Sequence, residues 1–163
     1  MKRTHEMNPD TDLLRHAIQI AQQHMEAGHG GPFGAVIVCE NQIIAEGWNQ
    51  VTTTNDPTAH AEIVAIRSAA ARLGRFSLKG CTLFTSCEPC PMCLAATYWA
   101  RVDRVVYAAT REDAAAIGFN DEHLYRELAL PIPQRELPMD QLLRDEAVVV
   151  LDAWQVKADK IPY

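Results

Sequence analysis

His60-Ala61-Glu62 and Pro89-Cys90-Pro91-Met92-Cys93 supply one imidazole, one carboxylate and two thiols, a set suited to holding a transition metal and moving a proton beside it. Cys90 and Cys93 stand three positions apart, so on a helix they share a face. At a helix N-terminus the positive end of the backbone dipole also favours the thiolate form that zinc requires. Three protein ligands, His60, Cys90 and Cys93, leave a fourth zinc position for a water whose pKa falls to roughly 7, which makes the set catalytic in composition. Glu62 is two residues from His60, a separation that shares no face inside a helix, so both reach one point only by projecting from a helix start. A carboxylate so placed can take a proton from the water and deliver it to a ring nitrogen and then to a leaving amine.

The same residues admit other readings. Cys90-x-x-Cys93, with the overlapping Cys87-Glu88-Pro89-Cys90, fits a redox dithiol. A closed structural zinc site of His60, Cys87, Cys90 and Cys93 would leave no room for water, but it gives Glu62 no role. His-x-Glu joined to Pro-Cys-x-x-Cys is, in contrast, the signature of zinc deaminases of nucleobases, whose glutamate is a proton carrier and not a ligand.

These groups need elements to hold them. Leu14, Ile18, Ala21 and Met25 mark the apolar stripe of a first helix after Asn8-Pro9-Asp10-Thr11, ended by Gly28. Phe33 to Cys39 and Ile43 to Trp48 read as strands joined by a hairpin turn at Glu40-Asn41-Gln42. A second helix is predicted from about Ala59 to Leu73, closed by Gly74, and Cys81 to Ser86 reads as a strand. Pro89 suits the first turn of a third helix running to about Ala100, before a strand over Arg104 to Ala109. Beyond that, Leu137 to Leu143 is a candidate short strand and Asp145 to Ala158 a candidate helix. Strands alternating with helices place the chain in the α/β class, with both ligand segments at the starts of adjacent helices.

A length of 163 residues with 48% hydrophobic and 22% charged content suits one domain with its own core. Fifteen Lys plus Arg against twenty-one Asp plus Glu give a net charge of -6, the wrong sign for long-range attraction of a polyanion, which argues against a nucleic-acid partner. No apolar run reaches membrane-spanning length and the first residues lack a signal-peptide pattern, so a cytoplasmic location is expected. Five cysteines, three of them within seven residues, suit metal or redox chemistry better than a secreted disulfide framework. His5, His16, His24, His29 and His123 lack metal spacing and read as surface groups.

Gly31-Pro32-Phe33-Gly34-Ala35-Val36, Asn55-Asp56-Pro57-Thr58-Ala59-His60-Ala61-Glu62 and Thr85-Ser86-Cys87-Glu88-Pro89-Cys90-Pro91-Met92-Cys93, followed by Tyr98-Trp99-Ala100-Arg101 and Asp113-Ala114-Ala115, resemble the cytidine-deaminase superfamily. Within it they are similar to the bacterial guanine deaminases. The resemblance implies a three-layer α/β/α cytidine deaminase-like fold with a mixed five-stranded sheet. It also implies one zinc per subunit and a single deaminase domain over residues 1–163. The protein would be a homodimer in which residues 137–163 are exchanged to complete the partner's site. The reaction implied is hydrolysis of guanine to xanthine and ammonia, a zinc-held hydroxide attacking C2 with Glu62 as proton shuttle. Phe33 and His60 would sandwich the base, Asn49 would bond its polar edge, the Ala61 N–H would help to orient it, and Asp121 would read the N1 and amino edge and shuttle a proton to the leaving group. Tyr163 would reach the site, and Trp99 is a candidate for the pocket wall. The rival activities are deamination of guanosine or ammeline and of adenosine in tRNA; the non-enzymatic rival is a structural zinc module.

Overall fold

The computed structural model describes residues 9–162. Helix α1 (Pro9–Glu26) leads into strands β1 (Gly34–Cys39) and β2 (Gln42–Trp48). Their two-residue connection, Glu40 and Asn41, has positive φ at both positions, 50° and 62°, the twist that a tight hairpin needs. A single turn, α2 (Val51–Thr54), precedes α3 (Ala61–Leu73), which Gly74 closes in the left-handed conformation. Strand β3 (Cys81–Cys87), helix α4 (Pro91–Trp99) and strand β4 (Arg104–Ala109) follow. The proline at the first position of α4 is Pro91 and not Pro89; Cys90 occupies the N-cap itself.

The sheet has the order β2-β1-β3-β4, with β1 antiparallel to both neighbours and β3 parallel to β4. It is mixed, as expected, but among the described residues it has four strands and not five. The candidate strand Leu137–Leu143 forms no ladder, and the chain after β4 turns directly into α5 (Arg111–Ala116), whose N-terminus is fixed by the reciprocal Thr110 and Asp113 capping box. Helices α6 (Asp121–Ala129) and α7 (Arg144–Val156) complete the chain.

Strand β1 is buried along its whole length because both faces of the sheet are covered. Its alternate residues divide between two cores: Ala35 and Ile37 face α3, with Ala61, Ala65 and Leu83, while Val36 and Val38 face α1, with Ala17, Ile20 and Phe84. The α3 layer sits close because Gly47 of β2 has no side chain. A Cβ there would lie 2.2 Å from the Ala61 carbonyl oxygen and 2.7 Å from the Ala65 nitrogen. Gly47→Ala is therefore expected to lower stability by about 1–3 kcal/mol through overpacking, read as a lower Tm in thermal unfolding. An unchanged Tm would mean that β2 and α3 can part at no cost.

The register brings the working ends together. Gly34 pairs with Trp48, Ala35 with Thr85 and Cys87 with Ala109. The start of β1 and the ends of β2, β3 and β4 thus share one edge of the sheet, the edge at which open α/β sheets bind ligands.

Candidate active site

His60 is the N-cap of α3 and Cys90 the N-cap of α4, both with extended backbone, and Cys93 lies in the first turn of α4. Two helix starts thus converge. The His60 Nδ1 is 3.5 Å from the Cys90 sulfur and 3.5 Å from the Cys93 sulfur, and the three ligand atoms lie within 4.8 Å of one another. With Zn–S and Zn–N bonds of ordinary length, a tetrahedral ion sets its nitrogen and sulfur ligands about 3.6 Å apart, which both nitrogen–sulfur distances match. The donor set is also right for zinc: one imidazole and two thiols, with Cys90 and Cys93 both buried.

These groups are coupled electrostatically. The Cys93 thiol, and then the His60 ring, hold the Cys90 thiol down to about 4, while hydrogen bonding to Cys90 raises the His60 ring and, with burial, pushes the Cys93 thiol up. Cys87 behaves differently. Its thiol donates to the Thr110 carbonyl oxygen at 3.5 Å, and burial raises it to about 11. It does not belong to the converging trio. Cys87→Ala is expected to keep one zinc per chain and Cys90→Ala to lose it, as measured by metal analysis after dialysis; loss from both would restore the closed four-ligand site.

Glu62 enters from the second position of α3 and is only 6% exposed. Its Oε1 accepts from the Thr85 hydroxyl at 3.4 Å and its Oε2 from the Cys93 thiol at 3.4 Å. Burial raises its pKa, as suits a group that must carry a proton. The N-cap placement of His60 answers the spacing problem: residues 60 and 62 meet because the helix has not yet begun at 60.

A cavity of about 270 Å³ opens over this centre, and His60, Glu62, Phe33, Asn49 and Asp121 all line it. Asn49 is buried and accepts through Oδ1 from the Gly31 and Val51 N–H groups, at 3.4 and 3.3 Å. Both backbone donors fix the orientation of the amide, so its NH₂ is the end available to a ligand. Gly30 makes this possible: a Cβ there would lie 1.8 Å from the Asn49 carbonyl oxygen. Ala61, as the first residue of α3, has an N–H with no partner inside the helix. Asp121 opens α6, and burial, then the Cys90 thiolate, raise its carboxyl.

Phe119 also lines the cavity, its ring edge-on to Phe33 at 4.8 Å. Sequence reasoning gave it no role, although an aromatic residue between Gly118 and Asn120 in a loop ahead of an acid is a fair binding signal. Trp99 stands apart in the single chain. It is 69% exposed and borders a second, apolar cavity with Phe76 and Ile161. Tyr163 lies outside the described residues. Of the other histidines, His24 stacks on Trp48 and His123 meets Glu127 and Glu136, the latter 75% exposed in its side chain, as a surface ion pair of little energetic weight.

Known proteins are similar to this chain in sequence and fold. Residues 7–109 match the family described as the cytidine and deoxycytidylate deaminase zinc-binding region. Guanine deaminase of Bacillus subtilis (strain 168) is 51% identical over 157 residues, spanning 96% of this chain and all of that protein. A solved structure of guanine deaminase from Bacillus subtilis superimposes with a TM-score of 0.92 over 96% of this chain and 99% of that one. The tRNA-specific adenosine deaminase of Haemophilus influenzae is 39% identical over 110 residues, 67% of this chain and 63% of that protein. A structure of guanine deaminase from Nitrosomonas europaea is 28% identical with a TM-score of 0.64, covering 90% of this chain and 84% of that one.

Proposed function

The chain belongs to the cytidine and deoxycytidylate deaminase zinc-binding family, and from that premise we propose that it hydrolyses guanine to xanthine and ammonia. One observation carries the reading beyond the family: the Asp121 carboxylate borders the same cavity as His60 and Glu62. A carboxylate accepts two hydrogen bonds side by side, and guanine presents N1–H and its amino group in that arrangement, whereas adenine and cytosine do not. Placing that edge on Asp121 turns C2 toward the metal ligands.

His60, Cys90 and Cys93 would hold the zinc ion, which would supply the Lewis acidity that makes water a nucleophile near neutral pH. Glu62 would take one proton from the attacking water and give it to N3, the unprotonated ring nitrogen beside C2; it would then take the proton remaining on the hydroxyl added at C2, as the carbonyl forms, and pass it to the amine that departs as ammonia. Thr85 holds the carboxylate in place, and Phe33 and His60 flank the base while the Asn49 amide donates to its other polar edge. Ala61 N–H helps to orient the ring.

The subunit we propose is a homodimer that exchanges residues 137–163, with Tyr163 and Trp99 completing sites across the interface. What supports this is the uncovered apolar surface of α7: within one chain it buries no residue, and its Val149, Val150, Leu151 and Val156 are exposed, as is Leu142 just before it. No described helix is long and apolar enough to cross a membrane.

The deciding experiment incubates zinc-loaded protein with guanine, guanosine, adenine, cytidine, ammeline and tRNA while ammonia is followed. Release from guanine alone, or from guanine far ahead of the rest, is expected. Ammonia from cytidine and none from guanine overturns the substrate, and inosine in tRNA at nanomolar affinity overturns the exclusion of nucleic acid.

A further inference from the structure

Asp121 sits on a helix that has little else to hold it. Helix α6 buries no residue within the chain, and its apolar Leu124 and Leu128 are exposed. Core packing therefore does not fix where its first residue points. One turn after Asp121, at i+4 and hence on the same face, stands Tyr125. Its hydroxyl donates to the Pro89 carbonyl oxygen at 2.8 Å, and Pro89 immediately precedes the zinc ligand Cys90. Pro89 is buried and lies between a strand end and a helix N-cap, so the acceptor is rigid.

The ring of Tyr125 is held in turn. The Arg111 guanidinium lies 4.7 Å from its centroid and is 3.2 Å from the Glu122 carboxylate, while the Arg111 backbone N–H donates to Glu88 at 3.1 Å. Glu88 and Pro89 are consecutive residues of the metal loop, so Tyr125 ties α6 to the segment that carries Cys90 directly, and Arg111, at the start of α5, ties it through its side chain.

We infer that Tyr125 is a positioning residue for substrate selection: its hydrogen bond to Pro89 fixes the distance between Asp121 and the metal centre. The inference rests on the reading of Asp121 as the group that accepts from guanine. Tyr125 touches no reacting atom. It sets how far the carboxylate stands from the ligands that hold zinc, and a base gripped at both ends tolerates little error there.

Tyr125→Phe keeps the ring and its Arg111 contact and removes only the hydroxyl. In zinc-loaded protein it is expected to lower kcat/KM for guanine about tenfold, chiefly through KM, with zinc content unchanged. In an Asp121→Asn background the same change should cost less than about twofold, because the residue through which it acts is already gone. Equal losses in both backgrounds, or no loss in the native one, overturn the inference. Hydrogen exchange gives a readout that does not depend on turnover. Amides of residues 125–129, which bond within α6, should exchange several-fold faster in Tyr125→Phe, with those of α1 unchanged; unaltered exchange in α6 also overturns it. Absence of ammonia from guanine with the unsubstituted protein counts against the substrate and leaves the exchange result to judge the tether.

Discussion

Glu62→Gln keeps its zinc and its fold and loses about 10³- to 10⁴-fold in kcat. The amide has the shape of the carboxylate, so its oxygen still accepts from Thr85, and none of the three ligands His60, Cys90 and Cys93 is disturbed. What disappears is the ability to take a proton and give it back. Asp121, another acid bordering the cavity, is proposed to be engaged with the base when the reaction occurs and so does not substitute. Ammonia release together with metal analysis checks this. Turnover within tenfold of the native protein would remove Glu62 from the proton path, and a loss of zinc would make it a structural residue instead.

For Asp121→Asn the expected loss is about 10²- to 10³-fold in kcat/KM for guanine, again with zinc retained. Two effects add. The charged acceptor becomes neutral, and the amide offers one acceptor and one donor, so one of guanine's two N–H groups meets another N–H. A buried donor left unpaired costs more than a weakened bond. Steady-state kinetics on guanine settle the point; unchanged kinetics would mean that the base is read by other groups.

Much of the metal half was legible in the sequence, and for identifiable reasons. Cys90 and Cys93 share a helix face by spacing alone, Gly74 marks a helix end because few other residues adopt positive φ, and Asn41 helps to make a tight hairpin. The half after β4 was less so. Helices α5 and α6 are short and Ala- or charge-rich, without a stripe long enough to show a period. Residues 137–143 lack β-branched side chains, contain Pro138 and gain no partner strand, so hydrophobicity alone suggested a strand that does not form. The disulfide between Cys39 and Cys81 was also hidden, since it depends on a register: β1 and β3 set these two residues opposite each other, with Cα atoms 4.3 Å apart. Phe119 went unassigned for a related reason. Only the fold reveals that the loop before α6 reaches Phe33 while the end of α4 turns away from the cavity.

The boundary at β4 has an evolutionary meaning. The family match ends at residue 109, and the similarity to a tRNA-specific adenosine deaminase extends over only 67% of the chain. Phe119 and Asp121, together with the tether at Tyr125, follow that point. The metal ligands and the acid proposed to read the amino edge thus lie in consecutive stretches of one polypeptide, joined where the Arg111 N–H and the Tyr125 hydroxyl meet the metal loop. A lineage can rewrite the later stretch to accept a different base while inheriting the hydrolytic centre intact, provided that each new tail still docks on Glu88 and Pro89.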